Sequence, residues 1–70
     1  MDTFKFTTEE ELTAEKALKT YILNYMPNVF YCHFMDGDYA EVTKKTNGAI
    51  FGLFASTDGK NHKIEFEFMR

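Results

Sequence analysis

Cys32 and His33 stand side by side, and His62 lies farther along the chain. A thiol beside an imidazole is the minimal kit for a nucleophile with its general base, and either residue could join His62 in holding a metal ion. The residues around Cys32 read as a strand, however, and strand neighbours point to opposite faces. Cys32 and His33 therefore cannot serve one site together. One cysteine and two histidines also fall short of the four ligands of a structural zinc site. A structural thiol is the expectation for Cys32.

The acids read the same way. Asp36 and Asp38 flank Gly37, and Asp58 precedes Gly59, but the loop spacing that gathers the six or more oxygens of a calcium site is missing, so they read as turn residues. Glu41, Glu65 and Glu67 fall on one sheet face with Lys63 and Lys45. Paired carboxylates do acid–base work only in a cleft that shifts their pKa values, so cross-strand ion pairs on an open face are expected instead. The run Glu9, Glu10, Glu11 with Glu15 could imitate phosphates; opposition to the positive end of a helix dipole explains it more simply. No phosphate-cradling glycine loop, nucleotide fingerprint or Ser-His-Asp pattern is present. No enzymatic activity, cofactor or metal is expected.

The elements that would position these residues follow from periodicity. Thr3 to Thr7 alternates, with Phe4 and Phe6 on one side, as a short half-buried strand does. A helix comes next: Thr8 with Glu11 has capping-box spacing, and Thr13 offers a second cap. Ala14, Leu18, Tyr21, Ile22 and Tyr25, joined by Ala17 and Met26, make one apolar face, and Pro27 stops the helix. Asp36-Gly37, Asn47-Gly48 and Asp58-Gly59 then punctuate four strands, roughly Val29 to Met35, Tyr39 to Lys45, Ala49 to Ser56 and Asn61 to Met69. The expected fold is α+β, order β-α-β-β-β-β. One helix packs on a mainly antiparallel sheet of four to five strands, in a single domain over residues 1–70. The first strand flanks either the last strand or the Val29 strand.

Two-residue loops at Asn47-Gly48 and Asp58-Gly59 set Val42 opposite Leu53 and Leu53 opposite Ile64. Ala40, Val42, Phe51, Leu53, Ala55, Ile64, Phe66 and Phe68 then share one face, the core under the helix. Tyr39, Glu41, Ile50, Phe54, Glu65 and Glu67 share the other. The Val29 strand is apolar on both sides. A tight turn at Asp36-Gly37 sends Phe30, Cys32 and Phe34 outward, whereas a three-residue loop through Asp38 sends Tyr31, His33 and Met35 there.

Either way the strands carry more apolar surface than one helix can hide. Twelve of the 70 residues are Phe or Tyr, and the net charge is −3. A contiguous exposed aromatic patch marks a contact surface, so Phe30, Phe34, Tyr39, Ile50 and Phe54 are the expected partner-binding residues. The expected function is a small non-catalytic interaction module. It would form a homodimer or inhibit a larger enzyme complex, in the manner of small acidic proteins carried by phages and mobile elements. The helix-then-meander order resembles small inhibitor folds such as the uracil-DNA glycosylase inhibitors, a likeness of element order that carries no residue over. The alternative is a ligand-binding or enzymatic site between helix and sheet, using Tyr21, Tyr25, His33 or His62. The acidic balance lacks the basic footprint of a nucleic-acid binder. No stretch is long and apolar enough to span a bilayer, and no signal pattern opens the chain, so a cytoplasmic protein is expected.

Overall fold

The elements follow in the expected order: β1 (Thr3–Thr7), α1 (Ala14–Asn24), β2 (Phe30–Asp36), β3 (Tyr39–Lys44), β4 (Ile50–Asp58) and β5 (Asn61–Phe68). The computed structural model describes residues 2–70. The five strands form one antiparallel sheet in the order β1-β5-β4-β3-β2. Of the two placements open to β1, the one beside the last strand is observed.

The helix begins at the second of its two possible caps. Thr13 Oγ1 accepts the Lys16 N–H at 3.2 Å, and only Glu15 of the acids falls in the first turn. Thr8 is not the cap; its hydroxyl donates to the Glu10 carbonyl at 2.6 Å. Glu9 to Glu11 therefore lie ahead of the helix rather than in its first turn. At the far end, the N–H groups of Tyr25 and Met26 both bond the Tyr21 carbonyl, closing the helix before Pro27.

Two of the turns keep the two-residue length but sit one residue later than Asp-Gly, and the reason is glycine. Positive φ occurs at Gly37, Gly48 and Gly59 and at no other described residue. Asp36 and Asp58 therefore end their strands rather than enter the loops. Gly37-Asp38 and Gly59-Lys60 form the connections, with glycine at the first central position as a type II′ turn requires. The Asn47-Gly48 connection is longer: Lys44 N–H bonds the Ala49 carbonyl at 2.7 Å, leaving Lys45 to Gly48 as the loop. Val42 consequently faces Phe51 rather than Leu53, and Leu53 faces Phe66 rather than Ile64. Each displacement is two residues, and an even displacement leaves every side chain on its expected face.

Both readings of β2 are realised in different halves of the strand. Met35 pairs with Ala40 and Phe34 with Glu41, but Cys32 pairs with Val42 and Phe30 with Lys44. The register shift between Cys32 and Phe34 is a β-bulge at His33. Phe30, Cys32 and Met35 thus face the helix side, and Tyr31, His33 and Phe34 the other.

The core consists of Ala17, Leu18 and Tyr21 of α1 packed on Phe6, Ala40, Val42, Leu53, Ala55 and Ile64. Eleven helical residues extend about 16 Å, whereas the nine residues of β4 extend about 30 Å. The helix therefore covers only part of its own face. Phe68, in line with the core but beyond the helix, remains 64% exposed.

Candidate interaction surface

Among the described residues, no element covers the face away from α1. Across its middle, β4, β3 and β2 supply Phe54, Tyr39 and Phe34 in one row. The Tyr39 ring centre lies 5.0 Å from Phe54 and 6.1 Å from Phe34. Phe54 is 44% exposed and Phe34 45%. Tyr39 lies flat because β4 has no side chain beneath it: a Cβ on Gly52 would stand 3.2 Å from the ring. Its hydroxyl donates to Glu41 Oε2 at 2.7 Å. That bond, followed by burial and the charges of Glu41 and Glu67, raises the Tyr39 pKa above its ordinary value. Beside this row, His33 Nδ1 meets Thr43 Oγ1 at 2.8 Å, His33 Nε2 lies 3.5 Å from Glu41 Oε1, and the Tyr31 ring packs against the imidazole. Hydrogen bonds thus tie Thr43 to His33 and Tyr39 to Glu41, and His33 and Glu41 approach one another, so the aromatic row has a partly fixed shape. Lys63 and Glu65, 3.4 Å apart along β5, mark its polar border.

Among the residues expected here from sequence, Phe34, Tyr39 and Phe54 come together. Ile50 is on the same face, half-buried beside Thr43 and the chain's last residues. Phe30 is not on this face. The bulge turns it to the helix side, where it meets Phe51 at 5.6 Å and Phe66 at 6.3 Å. Tyr31 takes the vacated place, 48% exposed. Only the bulge decides between Phe30 and Tyr31, and no residue type announces it. The expected cross-strand ion pairs are also largely replaced: the one Lys–Glu pair on this face runs along β5, and Glu41 is instead engaged by Tyr39 and His33.

The residues with chemical potential are dispersed. Cys32 faces the helix side, half-buried, its thiol donating to the Phe34 carbonyl at 3.3 Å, while His33 faces away. His62 is 2% exposed on the helix side. Three inter-strand spacings, roughly 14 Å, separate the Cys32 strand from that of His62. Both His62 ring nitrogens are occupied: Nε2 meets Thr8 Oγ1 at 2.7 Å and Nδ1 meets Thr57 Oγ1 at 2.6 Å. His62 is a structural joint between the β1–α1 connection and the β4–β5 hairpin.

A second concavity lies where α1 falls short of the sheet end. It measures about 380 Å³, and Phe4, Tyr21, Phe30, Phe51 and Phe66 line it, with Lys44 among the polar residues at its wall. Tyr21 is almost fully buried, which pushes its pKa up to about 12. Comparison of the chain with protein-family models, curated proteins and solved structures returned no match. Among the described residues, no helix is long and apolar enough to cross a membrane.

Proposed function

We propose that this chain is a non-catalytic protein-interaction module that docks through the aromatic row Phe34–Tyr39–Phe54. The observation that carries the reading is the row itself: three adjoining rings, two of them nearly half exposed, on a sheet face with no cover. Contiguous apolar surface with a polar border is the character of a contact site, and aromatic anchors that are ordered before contact lose little side-chain freedom when they bind. The dispersal of Cys32, His33 and His62 favours binding over catalysis. Inhibition of a larger enzyme complex is one use such a module serves.

The test is Phe54→Glu. Its side chain projects away from the core, so circular dichroism and the unfolding midpoint should stay close to wild type. Binding should fall at least tenfold in pull-downs from a host lysate, with Lys60→Glu as a surface control. Unchanged capture by Phe54→Glu would remove the row from the interface.

A second reading rests on the helix-side cleft. Its volume lies within the range of small-molecule sites, and no protein group among the described residues bonds the Tyr21 hydroxyl. Titration with a small aromatic carboxylate should shift the Phe4, Tyr21 and Phe66 resonances if the cleft binds ligands. Unshifted spectra would leave the sheet face as the sole candidate.

A further inference from the structure

We infer that the partner includes a second copy of this chain, joined edge to edge through β2 about a two-fold axis perpendicular to the sheet. This deepens the reading as an interaction module; it uses the open edge of β2, which shares Phe34 with the aromatic row but not Tyr39 or Phe54, and stands or falls separately.

Three observations lead there. The first is the backbone. Among the described residues β2 pairs only with β3, and the Lys45 N–H donates to the Val29 carbonyl at 2.6 Å. That bond sets the phase of the antiparallel ladder: Val29 and Tyr31 bond inward to β3, while both backbone groups of Cys32 face the open edge. The second is composition. The strand reads FYCHFMD, with Asp36 its one carboxylate and no lysine or proline, the residues that usually blunt an edge. The opposite edge, β1, carries Lys5 between Thr3 and Thr7 on its outward face, and its Phe4 and Phe6 lie under Tyr25.

The third observation selects the occupant. Asp36 and Asp38 stand at one end of the β2 edge. Lys45 and Lys44 stand near the other, one strand in from the open edge, beside Val29 and opposite Phe30, with Lys44 on the helix side. None of these four belongs to an ion pair among the described residues. Antiparallel pairing of two identical edges sets the acidic end of each copy against the basic end of the other, twice. Parallel pairing would set like against like. Tyr31 and Phe34 of both copies then continue one another across the axis. Their exposed parts, with Val29 and Met35, amount to about 300–400 Å² per copy, below the roughly 800 Å² per partner of a tight complex. The bulge further limits the new ladder. A weak, reversible dimer is expected, closed by its symmetry rather than growing into a fibre.

The experiment is sedimentation equilibrium on the full chain from about 5 μM to 1 mM, with charge-swapped variants. Lys44→Glu/Lys45→Glu and Asp36→Lys/Asp38→Lys should each weaken self-association at least tenfold, since each sets like charges together. Mixed in equal amounts they should form a heterodimer within a few-fold of the wild-type constant. In the wild type, deuterium exchange at the Cys32 amide should slow as concentration rises, a readout that needs no variant. Phe54→Glu should leave this dimer intact. A wild type that stays monomeric at 1 mM, or a mixture that fails to restore association, would overturn the proposal. Self-association abolished by Phe54→Glu and indifferent to the charge swap would move the interface to the outer face.

Discussion

At the scale of single residues, His62 shows a polar side chain committed to structure. His62 is the buried polar side chain of the core, and its ring also lies 5.0 Å from that of Phe6. Replacing it with Phe keeps the ring packing but removes the shared partner of Thr8 and Thr57. We expect a loss of about 1–3 kcal/mol, measured as a lower urea midpoint with an unchanged slope. Thr8→Ala should add less on the His62→Phe background than on wild type, because both changes break one contact. Tyr39 offers a finer probe. Its raised pKa owes most to the bond with Glu41, so Glu41→Gln should bring the Tyr39 titration back toward its ordinary value. Nuclear magnetic resonance titration of the Tyr39 ring would read this. No movement would mean that burial, not Glu41, holds the proton.

At the scale of elements, the division of residues between faces is legible in the sequence while the pairing is not. Sequence reading misplaces both hairpin registers, yet each by two residues, so Ala40, Val42, Leu53 and Ile64 reach the core regardless. What sequence does not convey is which residue of Asp-Gly enters the loop, since the same dipeptide serves turns that differ by a register step. For β2 the ambiguity is physical. A strand apolar on both sides gives no pattern to choose by, and a bulge satisfies both halves. The helix start is open for a like reason, since Thr8 and Thr13 are both competent caps and Thr8 is drawn away by His62. Deleting His33 tests the bulge. Without the extra residue the strand can pair regularly from Phe30 to Asp36, with Phe30, Cys32 and Met35 still inward. We expect the fold to persist, the β2 amides to gain exchange protection, and light scattering to report a stickier, straighter edge. Loss of the fold would mean the bulge itself is required.

The whole molecule is an elongated body of 36 × 20 × 19 Å, with one short helix fastened near the middle of a longer sheet. Tyr21 is the fastening: its ring lies 5.2 Å from Phe4 of β1 and 5.9 Å from Phe66 of β5, with Leu18 one turn earlier in the same core. Burial raises its hydroxyl from 10.0 to about 12. The folded chain therefore holds a proton that the unfolded chain has already released between those values. Stability follows the difference in bound protons, so Tyr21's contribution is complete below about pH 10 and is lost as pH rises toward 12. Tyr39, also raised, acts in the same direction. Tyr21→Phe removes one ionisation while keeping the ring. At pH 7 it should cost little, because no group among the described residues bonds the hydroxyl. Urea unfolding at intervals from pH 7 to 11.5 should show the variant losing stability less steeply than wild type above pH 10, with Tyr39 contributing equally to both. Parallel curves would mean that the ionised phenolate reaches water through the cleft beside it, and that the helix sits less firmly on the sheet than the packing of Tyr21 implies.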